Sequence, residues 1–116
     1  MTVMVVDWNP EVRRVIEEVV GDLADVVCEC ATPLAALNDY RRFHPDVVVM
    51  DIGRPPQDGI WATRQIVALH PEAVVVIITA YPDATFHAAA QEAGARGLVL
   101  KDNLLDLRQW LEAPRA

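Results

Sequence analysis

The chain has 116 residues, 53% of them hydrophobic, and a formal net charge of -7. That length is one domain with a sizeable core, and the acidic balance argues against a nucleic-acid surface, which needs clustered Lys and Arg. No apolar run approaches the ~18 residues of a membrane span and the N-terminus lacks the basic-then-apolar pattern of a signal peptide, so residues 1–116 are expected to form a single cytoplasmic domain without direct nucleic-acid or membrane binding.

Val3-Met4-Val5-Val6-Asp7 is an apolar strand ending on a carboxylate, and Asn9-Pro10-Glu11 follows as a helix start, with Asn as cap and Pro in the first turn. Val12, Val15, Ile16, Val19 and Val20 then recur at helical spacing until Gly21. A second strand around Val26 to Cys30 leads to Thr32-Pro33 as cap and first turn. Leu34, Leu37 and Tyr40 to Phe43 carry the next helix, which stops at His44-Pro45. Cys28 and Cys30 share one face of their strand, and with no further ligands at metal spacing they read as buried small hydrophobes.

Val47-Val48-Val49-Met50-Asp51 is an unbroken apolar run, the pattern of a strand buried on both faces, and it too stops on a carboxylate. Asp58-Gly59 is expected to turn the chain into a third helix through Ile60, Ile66 and Leu69, ending at His70-Pro71. The two His-Pro segments are one solution to a helix-to-strand turn used twice, which gives both histidines a structural role. The fourth strand, Val74 to Ile78, ends on Thr79-Ala80, and Asp83 to Ala93 makes an alanine-rich helix closed by Gly94. Gly97 to Leu100 forms a fifth strand ending on Lys101; Asn103 is expected to cap a last helix with Leu104, Leu107 and Leu111 on one face. Trp110, beside that stripe, is either tucked into the core or left for a partner, a second copy among them.

Five βα units in succession imply a parallel sheet with right-handed crossovers and helices on both faces. Such sheets bind ligands at the carboxyl ends of their strands, where Asp7, Asp51, Thr79 and Lys101 then gather. Alone, Asp51 reads equally well as a turn residue. Together, two carboxylates, a hydroxyl and an ammonium make a set able to hold Mg²⁺ and a phosphoryl group.

This constellation resembles the response regulator receiver domain along essentially the whole chain. The loop from Asp51 has Pro55 four residues on and Asp58-Gly59 at the seventh and eighth, and Thr79-Ala80 and Gly97-Leu98-Val99-Leu100-Lys101-Asp102 also fit. The last segment looks like the branch that often carries a helix-turn-helix output. The resemblance implies an α/β fold, a five-stranded parallel sheet in a three-layer (βα)5 flavodoxin-like sandwich of order 2-1-3-4-5. It also implies that Asp51 takes a phosphoryl group from a sensor histidine kinase or phosphotransfer protein, that Lys101 pairs with it, and that Thr79 binds a phosphoryl oxygen. Mg²⁺ would be held by Asp7, Asp51 and the carbonyl of Gly53, and the signal would pass to a downstream protein target. The expected role is that of a signalling phosphoacceptor rather than an enzyme acting on a substrate.

Two positions depart from the family. Trp8 stands where a second acid usually binds the metal, so a weakened metal site is expected and the indole should cover or narrow the pocket. Leu98 stands where an aromatic often reports the state of the threonine, and it reads as a core leucine. The alternative function is a pseudo-receiver, a phosphorylation-independent interaction module in which Asp51 is idle. A flavin enzyme on the same fold is a distant third, since the loop after the first strand lacks residues to cradle a phosphate.

Overall fold

The computed structural model describes residues 1–52 and 56–112. Its elements alternate as expected: β1 (Thr2–Val6), α1 (Pro10–Val20), β2 (Val26–Cys30), α2 (Pro33–Phe43), β3 (Val47–Asp51), α3 (Pro56–Leu69), β4 (Val75–Thr79), α4 (Ala84–Glu92), β5 (Gly97–Leu100) and α5 (Leu107–Glu112). All strand pairs are parallel and the order is β2-β1-β3-β4-β5.

The side chains of each strand alternate between two cores, one per face. Met4, Val6, Val48, Met50, Val75 and Ile77 meet α2, α3 and α4. Val3, Val5, Val47, Val49, Val76 and Ile78 meet Ile16 and Val20 of α1 and Leu107 and Leu111 of α5. With both faces covered, β3 and β4 are buried at every position, which is why their sequences read as continuous apolar runs.

Two helix starts follow the caps read from sequence, Asn9 and Thr32, and Asp83 caps a third. The side chains of Asn9, Thr32 and Asp83 accept from the backbone N–H groups of Glu11, Ala35 and Thr85, and prolines open α1 and α2. His44 closes α2 at φ 43°, its N–H bonded to the Tyr40 carbonyl, and its ring clusters with Tyr40 and His70. The histidines therefore serve the helix-to-strand turns, as expected.

Two expectations need correction. Asp58-Gly59 is not the turn before α3 but lies within its first turns, because the helix already begins at Pro56. The segment after β5 does not wait for a cap at Asn103: a 3-10 segment spans Lys101–Asp106, with Asn103 at non-helical φ -138°, ψ 55°, and α5 begins only at Leu107. Trp110, read as either tucked in or left for a partner, packs against the core. It is half-buried against the α1/α5 core, so close to Gly97 that a Cβ there would lie 2.3 Å from the indole.

Candidate functional site

The register of the sheet brings four strand ends to one edge. Val6 pairs with Met50, so Asp7 follows β1 beside Asp51; Asp51 pairs with Ile78, next to Thr79; and Thr79 pairs with Leu100, next to Lys101. Each step along the sheet thus presents one polar residue at the same level.

Three of the four meet directly. The Lys101 ammonium lies 2.9 Å from Asp7 Oδ2 and 3.0 Å from Asp51 Oδ1, bridging the two carboxylates. Both acids are buried, at 1% and 6% exposure, so each requires a charged partner. Burial works against the charge on Lys101, but its hydrogen bonds to Asp7 and Asp51 outweigh that and raise its pKa above the ordinary lysine value.

The Asp7 loop is held from three sides. The backbone N–H of Asn9 donates to Asp7 Oδ1 at 2.9 Å, and that of Asp7 donates to the Cys30 carbonyl at 3.1 Å. Arg13, one helical turn into α1, donates from Nη1 to the Asp7 carbonyl at 2.6 Å and from Nε to Glu29 on β2 at 2.8 Å. Sequence reasoning missed Arg13, whose only signal was a basic residue in the turn after a capped helix start.

Thr79 is fully buried at the end of β4, and its hydroxyl accepts the N–H of Tyr81 at 3.1 Å. Gly53, the expected carbonyl ligand, and Pro55 of the loop motif lie outside the described residues. Leu98 is partly buried against the α2/α3/α4 core, close to the core leucine expected.

Two cavities flank the carboxylates. One of about 350 Å³ is lined by Val6, Asp7, Trp8, Ala31, Thr32, Pro33, Asp51 and Asp58. A smaller one of about 100 Å³ lies toward Lys101, Ala80 and Tyr81. Trp8 borders both, yet it is 62% exposed, so the indole walls the site without filling it. Asp58, read from sequence as a turn residue and as part of the loop motif, also lines the larger cavity.

The donor set fits a hard divalent cation. Two carboxylates border a cavity with room for water ligands, and oxygen donors completed by water suit Mg²⁺. Among the described residues no third His, Cys, Asp or Glu joins them in a metal-binding group. Also among the described residues, no helix is long and apolar enough to cross a membrane.

Comparison with known proteins agrees with this geometry. Residues 3–112 match the response regulator receiver domain family. The chain is 38% identical over 111 residues to protein-glutamate methylesterase/protein-glutamine glutaminase 2 of Xanthomonas euvesicatoria, covering 93% of this chain and 31% of that protein. It is 34% identical over 101 residues to response regulator GacA of Pseudomonas viridiflava, covering 85% of this chain and 47% of the relative. It therefore spans less than half the length of either curated relative. Among solved structures, a LuxR-family two-component response regulator from Aurantimonas sp. SI85-9A1 superposes with a TM-score of 0.84 at 34% identity, covering 99% of this chain and 87% of that one. With the sheet order, the strand-end residues and the family match in agreement, this chain belongs to the response regulator receiver domains, the signalling modules of two-component systems.

Proposed function

We propose that the chain is a phosphoacceptor whose nucleophile is Asp51, in a single cytoplasmic domain that signals through protein contacts. The observation that carries this reading is the Lys101 ammonium bridging Asp7 and Asp51 at 2.9 and 3.0 Å. It pairs a buried carboxylate with a cation at a cavity large enough to admit a donor, and it stands ready to pair with a transferred phosphoryl group.

In this reading an Asp51 carboxylate oxygen attacks the phosphorus of a phosphohistidine on a sensor kinase or phosphotransfer protein. A P–O bond forms, the P–N bond breaks, and the imidazole leaves as the proton-bearing neutral ring. Lys101 stays paired with the growing negative charge. Thr79 exchanges its Tyr81 N–H partner for a phosphoryl oxygen, moving the start of the β4–α4 connection. Mg²⁺, held by Asp7 and Asp51, would add neutralisation of charge on the transferring oxygens.

The metal site is weakened by Trp8. Lys101 leaves the two carboxylates with one net negative charge, and an acid in place of the indole would add a second. Loss of a ligand costs at least the ~10–100-fold typical of losing a partner of a ligand. Trp8→Asp is therefore expected to bind Mg²⁺ at least about tenfold more tightly. Tryptophan fluorescence of the unaltered chain against Mg²⁺ and calorimetry of both proteins measure this; equal affinities would clear the indole of blame.

The test of the main reading is intact mass spectrometry after incubation with acetyl phosphate, with and without Mg²⁺. One hydroxylamine-sensitive phosphoryl adduct is expected on the unaltered chain and none on Asp51→Asn. An adduct that persists in that variant moves the acceptor elsewhere. One observation favours the pseudo-receiver instead: the exposed indole where the site lacks its second acid. That reading takes over if Trp8→Asp is labelled and the unaltered chain is not.

A further inference from the structure

Beside the acidic cavity lies a second one of about 310 Å³, lined by Thr32, Pro33, Leu34, Asp58 and Trp61. The two share Thr32, Pro33 and Asp58, so they form one groove from Trp8 across the start of α2 to Trp61 on α3. Its large apolar residues face water: Trp8 is 62% exposed, Leu34 57% and Trp61 44%. Two exposed tryptophans at the ends of one groove, on a domain this small, mark a contact surface, since Trp anchors dominate binding energy where they occur.

The charge of the groove selects its occupant. Asp58 is exposed and lines both cavities, and among the described residues no ion pair includes it. At the Asp7 end the groove adds two more carboxylates, Asp7 and Asp51, bridged by Lys101. A second copy carries the same -7 charge, and like-charge repulsion opposes its seating on an acidic groove. Nucleic acid and anionic lipid are repelled for the same reason.

We propose that this groove docks a basic, apolar-studded segment of a partner protein: a Lys or Arg reaches Asp58 while flanking aliphatic side chains sit against Trp8 and Trp61. The cation gains from both the carboxylate and the indole faces. The proposal does not depend on Asp51 being phosphorylated, and it concerns the α2–α3 side of the site rather than the acceptor itself.

The experiment titrates the ¹⁵N-labelled chain with a synthetic peptide of alternating arginine and leucine. Two control peptides carry glutamate in place of arginine, or serine in place of leucine. Saturable shifts are expected at the Trp8 and Trp61 indole N–H groups and at Leu34 and Asp58, with neither control peptide binding. Asp58→Asn and Trp61→Ser should each weaken binding about tenfold, the size of a single anchor contact. Glu92→Gln, which removes the same charge from the exposed end of α4, should leave affinity unchanged. Trp61 is half exposed, and a dispersed spectrum checks that its variant folds. Shifts confined to another face, equal losses from Asp58→Asn and Glu92→Gln, binding of the glutamate peptide, or self-association through this groove in sedimentation would each overturn the proposal.

Discussion

A methyl group on Gly59 would lie 2.4 Å from the carbonyl oxygen of Asp51 and 2.6 Å from that of Ile52, and backbone atoms cannot yield as side chains do. Glycine is therefore the residue that lets the start of α3 rest directly on the end of β3, with its own N–H bonded to the Ile52 carbonyl at 3.1 Å. Gly59→Ala should cost about 3 kcal/mol through forced displacement of that contact, read from the midpoint of urea unfolding. The Asp-Gly pair was legible as special, but its reason was not: sequence suggests a turn, whereas the cause is close approach of two segments that only the fold brings together. The same holds for Lys101. Its type and its place after a strand were readable, but its bridging of both carboxylates depends on the register. Lys101→Met removes the cation that bridges two buried carboxylates and should cost about 3 kcal/mol. Added Mg²⁺ should restore more stability to this variant than it adds to the unaltered chain.

At the scale of elements, the five strands and the first four helices were legible because each carries its own periodicity and three helices carry their own caps. The exceptions sit where the signal is shared between two structures. Leu104, Leu107 and Leu111 fit one continuous helix, yet the chain runs through a 3-10 segment first, and Arg108 then ties α5 to α1 by donating to the Val19 carbonyl and to both oxygens of Asp22. β2 offers a test of burial at an edge strand. Burial, with the nearby Asp39 carboxylate, raises the Cys30 thiol from 9.0 to about 12, and Cys28 is raised as well. Neither thiol should react with iodoacetamide at mildly alkaline pH until the chain is unfolded. Because the folded state holds the Cys30 proton more tightly, its contribution is complete below pH 9 and declines as pH rises toward about 12. A Cys30→Ala variant should show a shallower alkaline loss of stability in the same window.

The whole molecule carries its excess of negative charge on a single small body, and self-repulsion opposes its compact state. Moderate sodium chloride should therefore raise the thermal midpoint, since screening relieves repulsion between exposed carboxylates more than it weakens the buried bridge at Lys101. A midpoint that falls with salt would show that surface pairs such as Arg13 with Glu29 outweigh the net charge.

The helices that cover the sheet are not held equally. α4 buries only Ala90, with Phe86 partly buried beside it, whereas α1 and α5 each bury two large aliphatic or leucine side chains. A nine-residue helix is too short to persist once detached, and an alanine methyl returns little free energy on burial. In kinetic terms α4 is the piece of the native state that opens on its own, on a faster clock than the sheet beneath it. Its amides should exchange with deuterium well before those of α3, with little dependence on urea, the signature of a local event that exposes little surface.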